Sequence, residues 1–132
     1  MATILIVEDN PANMKLVVFL LQSAGYTVLT ATDAEAGLTL AHDKPPNLIL
    51  MDIQLPCMDG LQATALLKGD DATRAIPVIA LTALAMKGEE ERIRAAGCDG
   101  YIAKPIAYRD FLATVSDQLI HAPSGGALEA SA

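Results

Sequence analysis

Basic residues are scarce in this chain: nine Lys and Arg stand against sixteen Asp and Glu, a formal net charge of −7 over 132 residues. Such a surface does not attract phosphate backbones or anionic lipid, and no local Lys/Arg cluster supplies an exception. Neither nucleic acid nor a membrane is expected as a direct partner. Cys57 and Cys98 are too few for a disulfide framework and lack metal-ligand spacing. No apolar run approaches the roughly 18 residues that span a bilayer. The chain begins "ATILIVED" after Met1, a strand rather than a secretory leader, so a cytoplasmic protein is expected. A Gly- and Thr-rich phosphate loop after the first strand is also missing, since that stretch reads "EDNPANM", which argues against a flavin carrier.

Apolar sequence is abundant, 52% of the chain, enough for one domain with a sizeable core. Five strand-length runs recur at even intervals: "TILIV" at 3–7, "TVLTA" at 27–31, "NLILM" at 47–51, "PVIAL" at 77–81 and "GYIA" at 100–103. Helical sequence follows each. In the first helical segment Asn10 is placed to cap, Pro11 suits the first helical position, and Met14, Val17, Val18 and Leu21 form one apolar face before Gly25 ends it. The last shows similar spacing at Tyr108, Phe111, Leu112, Val115 and Leu119. "MKGEEERIRAAG" has few apolar anchors beyond Met86 and Ile93 and should be loosely held, with "EEER" as a solvated face.

Alternating strands and helices imply right-handed crossovers and a parallel sheet covered on both faces. The first, third and fourth runs are continuously apolar and belong inside; the second carries Thr and the fifth is short, so both belong at edges. The expected fold is α/β: a flavodoxin-like, doubly wound five-stranded parallel sheet of order 2-1-3-4-5 with five helices, spanning residues 1–121. Residues 122–132 lack periodicity and are expected to form a disordered tail too short to be an output domain.

Ligands in such sheets sit beyond the carboxyl ends of the strands, where the strand order reverses. There the runs deliver Glu8 and Asp9, Asp52, Thr82 and Ala83, and Lys104 followed by Pro105. Taken singly, each has a plain structural reading: a helix cap for Asp9, a turn former for Asp52, a core hydroxyl for Thr82, a solvated charge for Lys104. Taken together they do not, because clustered acids repel unless a cation compensates them. With no His or Cys ligand set nearby and no calcium-loop motif, Mg²⁺ suits the cluster, and Mg²⁺ with one or two carboxylates commonly brings a phosphate. Asp52 is then a candidate nucleophile forming an aspartyl phosphate, with Lys104 and Thr82 on the equatorial oxygens.

"ILIVEDN", "LILMDIQLPCMDG", "IALTA" and "YIAKPI" fall in an order and spacing that resemble the response-regulator receiver (CheY-like) family of two-component signalling, from Thr3 to about Ile120. The resemblance implies phosphorylation of Asp52; Mg²⁺ contacts from Asp9, Asp52 and the Gln54 carbonyl, with Glu8 acting through water; and further binding contacts at Ile53 and Ala83. It also implies switching roles for Thr82, Lys104 and Tyr101, and a cis Lys104-Pro105 bond. Within the family, "VEDNPANMKL" and "AMKGEEERIRAAGC" look similar to DivK-type single-domain regulators of the cell cycle, although receivers of hybrid kinases share much of this wording.

The resemblance implies a non-enzymatic switch, monomeric, loaded by a histidine kinase or histidine phosphotransfer protein. It would act on a protein target through the face of the fourth helix, fifth strand and fifth helix, with Met86 and Lys87 as weaker contact candidates. Two rivals remain. A Mg²⁺-dependent phosphohydrolase of the haloacid-dehalogenase type would need a second acid where Gln54 stands. A receiver-like scaffold that binds partners without phosphorylation differs only in chemistry. Cys57, His42 and His121 need no special role.

Overall fold

The computed structural model describes residues 2–83 and 88–120. Met86, Lys87, His121 and the expected tail lie outside the described residues. Five parallel strands, β1 (Thr3–Val7), β2 (Thr27–Ala31), β3 (Leu48–Asp52), β4 (Val78–Thr82) and β5 (Gly100–Ala103), form one sheet in the order β2-β1-β3-β4-β5. The helices are α1 (Pro11–Ser23), α2 (Ala34–Asp43), α3 (Gly60–Lys68), α4 (Glu89–Ala95) and α5 (Tyr108–Ile120). This is the expected flavodoxin-like architecture. Among the described residues no helix is long and apolar enough to cross a membrane.

The alternation of side chains along each strand divides the core in two. Leu5, Val7, Ile49, Met51, Val78 and Ala80 face α2, α3 and α4, where Ala41, Leu61, Leu67 and Ile93 meet them. Ile4, Ile6, Leu48, Leu50, Ile79, Leu81 and Ile102 face α1 and α5, against Val17, Leu20, Leu21, Phe111 and Val115. The inner strands β1, β3 and β4 are almost wholly buried, whereas β2 keeps most residues partly exposed. Edge and interior therefore follow composition.

Local signals act as expected at α1. The Asn10 side chain accepts from the Ala12 and Asn13 amides, Pro11 occupies the first turn, and Gly25 at φ +93° closes the helix, with its own amide on Gln22 O and the Tyr26 amide on Leu21 O. Two strands begin one residue later than the apolar runs. Asn47 lies before β3 because it bridges to β1, its amide on Thr3 O and its side chain accepting from the Thr3 amide. Pro77 has no N–H to enter a ladder, so β4 starts at Val78. The shift makes Asp52 and Thr82 the last residues of their strands. Tyr108 does not join the α5 core: as the first helical residue it is 54% exposed, lining one surface groove with Phe19, which is 66% exposed. In α4 Ile93 is the one buried residue, and the "EEER" face is charged and paired, Arg92 with Glu89 and Arg94 with Glu90.

Candidate functional site

The rule that separates the two core layers also sorts the polar groups at the carboxyl ends of the strands. Glu8, Asp52 and Lys104 continue β1, β3 and β5 with the parity of the layer facing α1 and α5. Thr82 has the opposite parity, shared with Tyr101, whose Cα pairs with Ala80 on β4. Charge thus gathers on one side of the strand ends, while the hydroxyl of Thr82 and the half-buried ring of Tyr101 lie on the side of α4.

Glu8 is 1% and Asp52 is 3% exposed. Lys104 joins them, its Nζ 3.2 Å from Glu8 Oε1 and 3.3 Å from Asp52 Oδ2. One ammonium faces two buried carboxylates. Asp9 is exposed but turns a carboxylate oxygen to the same spot, so that Glu8, Asp9 and Asp52 each offer an oxygen within 4.8 Å of the others. Burial, followed by the proximity of Asp52, pushes the Glu8 carboxyl up to about 7, although the Asn10 amide and Lys104 act in the other direction. Glu8 Oε2 accepts from the Asn10 amide at 3.1 Å, while Oε1 has no aligned hydrogen bond despite its ionic contact with Lys104.

Backbone geometry sets Asp52 in place. Its Oδ1 accepts from the Gln54 amide at 3.1 Å, and the Ile53 amide is donated to Leu81 O. Gly60 packs its Cα against the end of β3, where any Cβ would overlap the Asp52 carbonyl oxygen. Asp59, next to it, caps α3 in a reciprocal box with Gln62. The sequence "MDG" is therefore one cap and one close approach. The Lys104 amide donates to Thr82 O at 2.7 Å, and the Lys104-Pro105 bond is cis. Ala83, next to Thr82, is exposed. Cys57 lies in the loop between β3 and α3, exposed, at φ +67°.

The donor set is all oxygen: three carboxylates with one lysine to balance them, one buried carboxylate oxygen lacking a hydrogen bond, and no His or Cys in the cluster. Those features fit a small hard cation. Sequence reasoning singled out these acids but missed Asn10 as the donor that holds Glu8, and Gly60 as the residue against which Asp52 rests. The N-cap pattern at Asn10 and the Asp-Gly pair were the available signals.

Acids gathered where the strand order of a doubly wound α/β sheet reverses stand at the usual ligand position of such folds and offer their oxygens to a cation. The chain belongs to the response-regulator receiver domain family, whose pattern matches residues 4–116. It is 50% identical over 117 residues to the polar-differentiation response regulator DivK of Brucella anthropi, covering 89% of this chain and 95% of that protein. It is also similar to the receiver domain of the sensor histidine kinase PA1611 from Pseudomonas aeruginosa PAO1, solved with a magnesium ion coordinated in the active-site cleft (TM-score 0.84, 35% identity, 89% of this chain and 97% of that one). The chemotaxis protein CheY4 of Vibrio cholerae has the same fold (TM-score 0.84, 27% identity, covering 89% and 98%). The chain is a two-component receiver of DivK-like type.

Proposed function

We propose that this receiver is a phosphorylation-dependent switch in which Asp52 accepts a phosphoryl group from a phosphohistidine donor, a histidine kinase or histidine phosphotransfer protein. The reading rests on one observation: Asp52 is a buried carboxylate at a strand end, in contact with Lys104 and clustered with Glu8 and Asp9. An Asp52 oxygen attacks phosphorus, the P–N bond to the donor imidazole breaks, and the ring nitrogen leaves with the electron pair and takes up a proton. The product is an acyl phosphate.

Asp9, Asp52 and the Gln54 carbonyl, with Glu8 behind them, would hold Mg²⁺; when bound, it neutralises charge so that phosphoryl oxygens approach the carboxylates. The magnesium in the PA1611 receiver supports this assignment. Lys104 is already within 3.3 Å of Asp52 and is the cation available to an equatorial oxygen. Thr82, at the end of the neighbouring strand, supplies a hydroxyl, and Ile53 and Ala83 contribute further contacts around the bound group.

The new charge on Asp52 draws Thr82 inward and makes room for Tyr101, which shares its side of the sheet. A ring with an apolar body and polar tip exchanges exposure for burial at modest cost. Held in the core by Ile93 alone, α4 then shifts. The face of α4, β5 and α5 changes its affinity for a protein target, and the switch acts as a monomer in the cytoplasm. Incubation with Mg²⁺ and acetyl phosphate should add one phosphate mass to the wild-type chain and none to Asp52→Asn; equal labelling of the variant would refute Asp52 as the acceptor.

A further inference from the structure

We infer that Asn10 is a positioning residue for the acidic cluster, because the residue whose side chain caps α1 is also the residue whose amide holds Glu8. The inference rests on the receiver reading of the site and extends it to a residue outside the acidic set.

Glu8 leaves the sheet with its amide still on Ala31 O at 3.0 Å, and two residues later the chain turns into α1. The turn is made at Asn10, at φ −86° and ψ 118°. Its Oδ1 accepts from Ala12 at 2.9 Å and Asn13 at 3.0 Å, while its own N–H donates to Glu8 Oε2 at 3.1 Å. One residue therefore bonds forward to the helix through its side chain and backward to the site through its main chain. Relative to α1, the direction of the Asn10 N–H depends on φ and ψ at position 10, which the forward bonds hold, so the cap sets how the helix meets the peptide plane that donates to Glu8.

This matters because Glu8 has few other holds. Its Oε1 has no aligned donor and the carboxyl otherwise meets Lys104 and the Asp52 carboxyl, so the Asn10 amide is the one aligned main-chain donor to the Glu8 side chain among the described residues. Asp9 lies between the two residues this bond joins. Its carboxylate is exposed, and its aim into the cluster follows from the backbone on either side. Loosening Asn10 loosens two of the three acids at once.

A cap that only stabilised α1 would behave differently, and substitutions at position 10 separate the roles. Alanine removes the side-chain acceptor and disfavours the cap conformation; serine restores an acceptor; glycine is tolerated at caps with little loss of stability but leaves φ and ψ free. The helix itself remains anchored by Val17, Leu20 and Leu21. The test is a calorimetric titration of the full chain and the three variants with MgCl₂, with metal-free melting measured in parallel. Asn10→Ala should bind Mg²⁺ about fivefold more weakly, the equivalent of one lost cap. Asn10→Gly should weaken Mg²⁺ binding similarly while its melting temperature stays close to wild type, and Asn10→Ser should return to within about twofold of wild type. If Mg²⁺ affinity stays constant across the variants while melting temperature varies, Asn10 is a helix cap only and the inference is overturned. Failure of the wild-type chain to bind Mg²⁺ is a separate result, one that removes the metal reading of the site and this inference with it.

Discussion

A lysine meets buried or half-buried acid at each end of the sheet, two carboxylates at one and a single carboxylate at the other, and the two clusters are built differently. At the carboxyl ends, Lys104 faces Glu8 and Asp52 together, and one Glu8 oxygen has no aligned donor. At the amino ends, Lys68 Nζ donates to Asp99 Oδ2 at 3.0 Å and to the carbonyls of Ile76 and Arg74 at 2.8 and 3.3 Å. Asp99 in turn accepts from the Val78 amide at 2.8 Å, and its carbonyl accepts from Gln118. Here each charge has an opposite partner and the neighbouring main chain uses the rest. The amino-end cluster joins α3, the starts of β4 and β5, and α5. The carboxyl-end cluster gathers more carboxylates than lysines in a largely buried place, an arrangement that costs stability unless a cation compensates it.

The contrast can be broken from either side, and pH acts first on the strained end. The folded-state pKa of Glu8 is raised from 4.5 to about 7, so the folded chain binds this proton more tightly than the unfolded chain does. Its contribution to stability is greatest when the carboxyl is protonated, falls as pH rises from about 4.5 to about 7, and stays at its lower level above that. Denaturant titrations of the metal-free protein should show a loss on the order of 3 kcal/mol across that window. The loss should be absent from Glu8→Gln; an equal slope in that variant would assign it to other groups.

The satisfied end responds to truncation instead. Lys68→Met removes one partner of Asp99, which keeps the Val78 amide and partial exposure, and one partner of two carbonyls, and should destabilise the fold by about 1–2 kcal/mol in urea unfolding. Acceptance of phosphate by Asp52 should persist wherever the variant is folded, since no Lys68 contact reaches the carboxyl ends. The smallest effect belongs to the loop between them and the α3 cap. Cys57 is a non-glycine residue at φ +67°, and Cys57→Gly should stabilise the chain by about 1 kcal/mol, read as a raised melting temperature. A drop would mean that the thiol makes contacts worth more than the backbone cost.

Much of this was legible in the sequence because the signals were local. Strand order followed from which runs were continuously apolar, and the acids sat at the ends of those runs. The one-residue shift of β3 was not legible, because it depends on Asn47 reaching Thr3; that of β4 was signalled by Pro77, which by its identity has no N–H for a ladder. Nor was the exposure of Tyr108, whose helical spacing matches the core positions of α5 although it sits at the helix's first residue. The Lys68–Asp99 link joins residues 31 apart, and nothing in either neighbourhood signals the other. The sequence marks Lys104 as a ligand for phosphate oxygens; the structure adds that its ammonium also compensates Glu8 and Asp52, at distances that strand spacing alone does not give.

The opposite parity of Asp52 and Thr82 has a consequence for how such a protein is altered. The acids and their lysine rest on the layer that α1 and α5 cover; Thr82, Tyr101 and α4 belong to the other layer. If Thr82 links the two layers as proposed, a change of packing beneath α4 bears first on Thr82 and Tyr101 and reaches the carboxylates only through them, and one beneath α1 bears first on the carboxylates and reaches α4 by the same link.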